Sequence, residues 1–355
     1  MTRRGSSSVD DGLAEPRDGD TADTALVVVA GTTATGEIEG ISAAGGDPAA
    51  AVHTPVADTE ILTRGRVRSA ATLPVGPNGC PTPAVLSRAV VETLGLETLV
   101  VDAGLAASPA TQTRRVADRS GADIREAVAV PDAAGTYDRA RAVGRSLSAD
   151  RVVIGETVPG GTTTAMAVLR ALGRPTAVSS SLPDNPTALK NTVVADALAA
   201  SGIAPGDLAG RPLAAVRAVG DPVLPAVAGV VRGATATDTT VVLGGGTQMA
   251  AVAALLRGLG VETPLRAATT AYVAADETAD LARLGTALSL AWTVTDPALA
   301  ELGDHPVAAG YAAGAGKEGV GAGGALAVAD EAGALAAVRS RVERVYERLS
   351  ESSSS

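Results

Sequence analysis

Short β-branched apolar runs alternate along this chain with longer Ala- and Leu-rich stretches, and this alternation restricts the fold more than any other feature. The runs predict strands at Ala25–Ala30, Thr98–Asp102, Arg151–Gly155, Thr239–Leu243 and Leu265–Val273. Continuous apolar runs of this length are typical of parallel strands buried on both faces. The stretches predict helices at Pro83–Leu94, Thr136–Ser148, Thr162–Leu172, Ala188–Ala200, Gln248–Leu259 and Glu331–Ser350. The order predicts a doubly wound α/β fold, with a mainly parallel sheet and helices on both faces.

The domain organisation follows from where this alternation starts and stops. Residues 1–23 are polar, acidic and rich in Gly, Ser and Asp, which predicts a disordered segment, and 351–355 predict a solvated tail. Residues 24–350 contain no strong linker and are interpreted as one domain. Because the 355-residue chain has no phenylalanine and only 1% aromatic residues, its core must be built from closely packed Ala, Val, Leu and Ile.

Charge and composition exclude several functional classes. The formal net charge is −10, and Lys190 and Lys317 are the only lysines. An acidic chain of this kind lacks the basic stripe that nucleic-acid binding requires. The same composition is typical of proteins kept soluble at high salt, as in halophilic archaea.

Few residues are available for metal or disulfide chemistry. Cys80 is the only cysteine, and His53 and His305 are the only histidines, so a multi-cysteine or His-rich metal site is excluded. The single cysteine and the absence of an apolar signal segment or of a long uncharged apolar stretch predict a cytoplasmic protein without a membrane span.

The segment Val152–Leu169 is the most informative for chemistry. A predicted strand is followed by Glu156, then by Gly160 and Gly161, and then by three threonines that open a helix. Glycines let the backbone approach an anion, Thr162 is a suitable N-cap, and free N–H groups favour phosphate. The pattern is not a Walker A loop. The phosphate-binding interpretation stands beside a purely structural one, a strand-to-helix turn capped by threonine.

Two other segments also offer candidate contacts to a phosphate or another ligand. Lys190, in the opening turn of a predicted helix, is suited to phosphate as a mobile point charge, although a plain surface lysine is the alternative. At Leu243–Ala250 a strand meets Gly245 and then Gln248, whose amide both donates and accepts hydrogen bonds. This junction is either the lining of a ligand crevice or a close-packed turn.

Glu318 lies on the glycine-rich stretch Gly314–Ala325 beside Lys317. A carboxylate on such a loop can point into a pocket while a substrate approaches the backbone closely. Removal from water would raise its pKa into the range useful for a general base. The alternative is a flexible surface loop with incidental charges. The turn Pro74–Pro83, which contains Cys80, is interpreted as structural.

Taken together, these segments resemble the nicotinate-nucleotide:dimethylbenzimidazole phosphoribosyltransferase family. Gly155–Ala165, GETVPGGTTTA, is similar to the family's phosphate-binding loop, Gly-Glu-Met-Gly-Ile-Gly-Asn-Thr-Thr, and Leu243–Ala250 is similar to its Gly-Gly strand–helix junction. Glu318–Ala322 resembles the family's Glu-Gly-Thr-Gly-Ala. The order of the segments agrees, and the likeness extends over residues 24–330. It places the chain in a divergent, largely archaeal and cyanobacterial branch.

The chain departs from the family pattern at two places. The family's early Asp-His-Gly-Val element is missing, and Gly31–Glu37 stands in that region. The phosphate loop has Val158–Gly161 in place of Gly-Ile-Gly-Asn. These differences leave the handling of phosphate intact and bear mainly on the acceptor base.

The resemblance implies transfer of phosphoribosyl from nicotinate mononucleotide to an aromatic base such as 5,6-dimethylbenzimidazole, in assembly of the cobamide nucleotide loop. It implies Glu318 as the base that deprotonates the acceptor, without cofactor or metal, in a homodimer. It also implies contacts to phosphate and substrate from Glu156, Gly160, Gly161, Thr162, Thr163, Lys190, Gly245 and Gln248.

Two alternatives remain open at this stage. One keeps the reaction and changes the acceptor to adenine or another purine, for which Tyr272, Trp292 or Tyr311 would serve as a stacking surface. The other is a non-catalytic nucleotide-binding or regulatory protein that retains the phosphate loop. Retention of Glu318 on its glycine-rich loop favours the enzyme.

Overall fold

The computed structural model describes residues 23–44, 48–69, 73–76 and 79–352. The expected disordered segment therefore lies outside the described residues except for Asp23, and so do residues 353–355 of the expected tail. Glu351 and Ser352 are the last two residues of the C-terminal helix.

Seven strands form one sheet in which every neighbouring pair is parallel. They are β1 (Thr24–Ala30), β2 (Glu97–Ala103), β3 (Arg114–Ala117), β4 (Arg151–Thr157), β5 (Thr240–Gly244), β6 (Leu265–Thr270) and β7 (Leu290–Thr295). Their order across the sheet is β3-β2-β1-β4-β5-β6-β7. The chain thus builds outwards from β1 on one side and from β4 on the other. This reversal is the switch point at which doubly wound proteins bind ligands.

The α-helices surround the sheet. They are α1 (Pro48–Ala51), α2 (Thr54–Arg64), α3 (Ala84–Leu94), α4 (Ala133–Arg145), α5 (Gly161–Ala171), α6 (Thr187–Ala200), α7 (Pro212–Val219), α8 (Val223–Ala234), α9 (Gln248–Gly258), α10 (Ala271–Ala274), α11 (Leu281–Leu288), α12 (Pro306–Ala312), α13 (Ala322–Glu331) and α14 (Leu335–Ser352). Short 3-10 helices occur at Ala34–Glu37, Thr235–Thr237 and Leu299–Leu302.

Alternate residues of the central strands contribute to two separate cores. Leu26 and Val28 of β1 are buried against α2, α3, α13 and α14, whereas Val27 and Val29 are buried against α4, α5, α8 and α9. Side chains of successive strand residues point to opposite faces, so a strand covered on both sides is apolar throughout. The predicted doubly wound, parallel α/β class with helices on both faces is confirmed.

Two predicted boundaries are wrong, and several elements, among them the helices α2, α7, α8 and α13, were not predicted. The strand predicted to Val273 ends at Thr270, whose hydroxyl accepts from the Val273 N–H and starts α10. The last helix does not begin at Glu331, because that residue ends α13 and Gly333 adopts a left-handed φ of 67°. Strands β3 and β7 were missed. They form the two edges of the sheet, where exposed polar residues interrupt the apolar run.

Candidate active site

A cleft opens at the carboxyl ends of β1 and β4, at the switch point of the sheet. Its empty volume is about 810 Å³, part of which is open to solvent. The segments that line it are Ile41–Ala44, part of α2, the described part of the 74–83 turn, Glu156–Thr162, Ser180–Ser181, Gln248 and the loop before α13. Site residues far apart in sequence are therefore brought together by the sheet.

One wall of the cleft is the amino-terminal end of α5. Gly160 is the N-cap residue with a φ of 80°, and a Cβ there would lie 2.8 Å from the backbone nitrogen of Gly36. Only glycine fits this close approach. The predicted N-cap, Thr162, is instead in the first turn and lines the cleft. The helix dipole makes such a helix end favourable for an anion, although the N–H groups of Gly161 and Thr163 already donate to the carbonyl oxygens of Val158 and Gly160.

The opposite wall carries Glu318, which is half-buried in the loop before α13. Its carboxylate accepts from the backbone N–H of Gly323, at 3.0 and 3.1 Å, and from that of Gly319 at 3.2 Å. Removal from water raises the pKa of Glu318 to about 7, although these N–H groups act in the opposite direction. A carboxyl group that titrates near neutral pH is suited to act as a general base.

Glu156 lies between these two walls, at the end of β4. Its side chain is only 5% exposed, and its Oε2 atom has no hydrogen-bond partner among the described residues. Burial raises its pKa well above 4.5, and the nearby charges of Asp221, Glu318 and Asp58 raise it further. Burial of an oxygen without a hydrogen-bond partner thus favours the protonated form of this carboxyl group.

Asp58 on α2 is a residue of the site that the sequence analysis missed. It is buried, lines the cleft, and accepts from the hydroxyls of Thr82 at 2.5 Å and Thr157 at 2.7 Å. Desolvation raises its pKa to about 6, although the two hydroxyls oppose the shift. No glycine-rich motif flanks Asp58; an aspartate at a helical position that otherwise faces the core was the one available signal.

The turn that contains Cys80 also forms part of the cleft. Thr82 joins it to Asp58, and an antiparallel bridge connects Val75 and Pro81. It is therefore structural, as interpreted, and also lines the site. The Cys80 thiol is buried, and burial raises its pKa to about 12.

The two lysines lie behind the cleft rather than on its walls. The Lys190 Nζ donates to the carbonyl oxygen of Ser179 at 2.9 Å, and burial lowers its pKa to about 7. The Lys317 Nζ is 2.8 Å from Asp276 Oδ2. Both lysines thus support the segment that leads into Ser180.

The structure brings most of the predicted site residues together and leaves three outside. The residues that line the cleft are Glu156, Gly160, Gly161, Thr162, Gln248 and Glu318. Thr163 is buried with its hydroxyl unpartnered among the described residues, Gly245 packs on Met249, and Lys190 lies as described above.

The aromatic residues considered for stacking are not on the walls of the cleft. Tyr272 and Tyr311 pack against each other with ring centroids 5.3 Å apart, and Trp292 is on the edge strand β7. Among the described residues, no group of His, Cys, Asp and Glu side chains is arranged to hold a metal ion. No α-helix in the described ranges is long and apolar enough to cross a membrane.

The fold and the cleft define a doubly wound α/β protein with a candidate ligand cleft at the switch point of its sheet. In solved structures the fold recurs in nicotinate-nucleotide-dimethylbenzimidazole phosphoribosyltransferase from Thermus thermophilus, with a TM-score of 0.55, 23% identity, and coverage of 91% of this chain and 83% of that one. A structure described as CobT from the same organism matches with a TM-score of 0.58 and 22% identity. The match covers 91% of this chain and 84% of that one. The family resemblance drawn from the motifs is therefore confirmed at the level of the fold.

Sequence relatives place the chain more closely. The UPF0284 protein of Halobacterium salinarum is 54% identical over 330 residues, which cover 93% of this chain and 99% of the relative. The UPF0284 protein of Methanosarcina mazei is 42% identical over 312 residues, which cover 86% of this chain and 88% of the relative. No protein-family profile matches. The chain belongs to the UPF0284 family.

Proposed function

We propose that this protein transfers the phosphoribosyl group of nicotinate mononucleotide to an aromatic base, giving an α-riboside 5′-phosphate and nicotinate for assembly of a cobamide. The observation that carries the proposal is the position of Glu318. This carboxyl group, with a pKa of about 7, lines the same cleft as the amino-terminal end of α5. A general base and an anion site on one cleft are what a phosphoribosyl transfer requires.

The 5′-phosphate would bind at the amino-terminal end of α5, where Gly160, Gly161 and Thr162 line the cleft. The positive end of the helix dipole would attract it, and the Gly161 N–H, which donates to the Val158 carbonyl oxygen, would turn that bond over to the phosphate. Lys190 would support this site through Ser179, whose carbonyl oxygen it binds. The Gln248 amide, on the neighbouring wall, would donate to the ribose or the phosphate.

The proposed chemical step uses the phosphate site at the start of α5 on one wall and Glu318 on the other. The acceptor nitrogen attacks C1′ of the ribose from the face opposite nicotinate, and a new C1′–N bond forms. The bond from C1′ to the pyridinium nitrogen breaks, and its electron pair stays on nicotinate. Glu318 takes the N–H proton of the acceptor. Holding both substrates in one cleft supplies much of the rate.

The acceptor would occupy the part of the cleft between Glu318 and α2. That region is lined by small, aliphatic and proline residues, with Asp58 and Thr54 as its polar groups on α2. A flat heteroaromatic ring fits such walls without an aromatic partner. Dimethylbenzimidazole and adenine are both of this class.

The test is an assay of the purified full chain, at molar salt, with nicotinate mononucleotide and a panel of dimethylbenzimidazole, benzimidazole and adenine. Mass spectrometry is expected to detect one α-riboside phosphate and an equal amount of nicotinate. Turnover with a single base would also identify the acceptor. Binding of the donor without turnover of any base would contradict the enzyme and favour a nucleotide-binding role.

The proposal includes the organisation of the chain. Residues 24–350 would act as one domain, since the strands from Thr24 to Thr295 share one sheet. We further propose a homodimer, for which light scattering at molar salt gives the mass directly.

A further inference from the structure

The cleft concentrates acidic side chains without matching cations. Asp58 on α2, Glu156 at the end of β4 and Glu318 before α13 line it, and Asp221 before α8 is buried behind them. The charges of the other three raise the pKa of Glu156. Among the described residues, none of the four has a Lys, Arg or His nitrogen within 4 Å. Burying several like charges without counter-ions is costly. Bound protons therefore take the place of counter-ions in this cluster.

The nearest lysines are engaged elsewhere. Lys317, next to Glu318 in sequence, pairs with Asp276 at 2.8 Å, and Lys190 donates to Ser179. Neither of them lines the cleft. A cation that pairs with a carboxylate of this cluster would therefore come from a ligand.

Glu156 is the member of the cluster whose bonding is incomplete. Asp58 accepts from two threonine hydroxyls, and Asp221 accepts from the Thr164 hydroxyl and from the N–H groups of Val223 and Leu224. Glu156 Oε2, by contrast, is buried and unpartnered among the described residues, on the wall of the cleft. Because an unpaired buried polar atom is unfavourable, this oxygen is available for a ligand.

The position of Glu156 in the cleft indicates which part of a ligand would lie against its side chain. The backbone oxygen of Glu156 accepts from the Val320 N–H at 2.8 Å, which ties β4 to the loop that carries Glu318. Four residues further along the chain is Gly160, at the start of α5. A molecule that extends from α5 to Glu318 occupies the cleft that Glu156 also lines. On the proposed function, the part between phosphate and base is the ribose with its pyridinium ring.

We propose that Glu156 recognises the cationic pyridinium ring of the donor by exchanging its own proton for that positive charge. This inference rests on the proposed function. The Glu156 O–H bond breaks when the donor binds, the proton leaves to the buffer, and the carboxylate formed pairs with the ring cation. Once nicotinate has left as a neutral ring, the ion pair is lost and the proton returns, which favours release.

Proton release on binding is measured by titration calorimetry in buffers of different ionisation enthalpy, at pH 8. At this pH Asp58 and Glu318, with pKa values of about 6 and 7, are already mostly ionised. Asp221 is not on the cleft wall and accepts from the Thr164 hydroxyl and two backbone N–H groups, so Glu156 is the carboxyl group of the cleft expected to release the proton. Binding of nicotinate mononucleotide to the unaltered protein is expected to release close to one proton. Its 1,4-dihydro form, which keeps the phosphate and the carboxylate but has a neutral ring, should release almost none.

Two variants test whether the proton released on donor binding comes from Glu156. Glu156→Gln should bind the donor with no proton release, whereas Glu347→Gln, the same change on the exposed side of α14, should behave as the unaltered protein. A second measurement needs no variant. The affinity of the unaltered protein for the donor should rise with pH, by up to about tenfold per pH unit while Glu156 is protonated, and that for the dihydro form should not.

The outcomes separate the two proposals. Equal proton release by Glu156→Gln and the unaltered protein, or by the two forms of the donor, would overturn the inference and leave the proposed function standing. If the donor did not bind at all, the proposed function would fail and the inference with it.

Discussion

The Gly323 N–H donates to the Glu318 carboxylate, so the amino-terminal end of α13 holds the proposed base in place. A Cβ at Gly323 would lie 2.4 Å from Thr269 Cα and 2.6 Å from Glu318 Oε2. Neither atom can yield without moving backbone or the carboxylate itself. The geometry of the base thus depends on the absence of one methyl group.

Gly323→Ala is therefore expected to lower kcat by roughly 100-fold, since a displacement of about 1 Å can cost that much. Steady-state kinetics together with thermal unfolding measure the two effects. Gly210→Ala is the control: its Cβ meets nothing within 4 Å, but its φ is 76°. It should lose about 1 kcal/mol of stability and keep its activity. Full activity of Gly323→Ala would contradict this account of Glu318.

Glu318→Gln removes the base while retaining the shape of the side chain. We expect kcat to fall by about 10²- to 10⁴-fold, the usual contribution of a general base, while the affinity for nicotinate mononucleotide changes little. Rates with saturating substrates and calorimetric binding test the two parts. A variant with unchanged kcat would show that another group removes the proton.

The activity of the unaltered protein should depend on pH through the same group. Because Glu318 must be ionised to accept a proton and its pKa is about 7, kcat is expected to rise through that pH and to level off above it. A rate profile from about pH 5.5 to about pH 9 measures this. A rate independent of pH below 7 would be inconsistent with Glu318 as the base.

Stability should show the opposite dependence. The pKa of Asp58 is about 6 in the folded protein and near 3.8 in the unfolded chain, so the folded state binds more protons between these values. The free energy of unfolding should consequently fall as pH rises from about 4 to 6, by up to about 3 kcal/mol. Asp58→Asn should flatten this part of the curve, and Asp238→Asn, at an exposed turn, should not. Denaturant unfolding at a series of pH values distinguishes the two.

Cys80 is expected to resist alkylation in the folded protein despite its place at the cleft. The thiolate is the reactive form, and a pKa of about 12 leaves very little of it at pH 8. Iodoacetamide labelling followed by mass spectrometry should be slow for the native chain and fast in denaturant. Equal rates in the two states would mean that the thiol is neither buried nor shifted.

Sequence patterns predict those features of the fold and the site that are set by residues close together in the chain. The central strands were found because strands covered on both faces are apolar throughout, and Glu318 and the 155–165 loop were found because glycines are concentrated around them. The edge strands and Asp58 were not, since their surroundings come from distant parts of the chain: Asp58 meets Thr82 and Thr157. Lys190 was assigned to phosphate from its charge, whereas its direction is set by Ser179.

The contacts of β4 and β5 with the start of α13 are made by glycine backbone on both sides. A Cβ on Gly155 would lie 2.3 Å from Gly321 Cα, and one on Gly324 would lie 2.7 Å from Gly244 Cα. A larger residue would fit at neither contact. A substitution at these glycines therefore cannot change the spacing between Glu156 and Glu318 by a small amount. On the other wall, α2 and the 74–83 turn are joined by the side chains of Asp58 and Thr82. On the proposed function, we therefore expect descendants of this protein to diverge more readily in the acceptor base than in the donor.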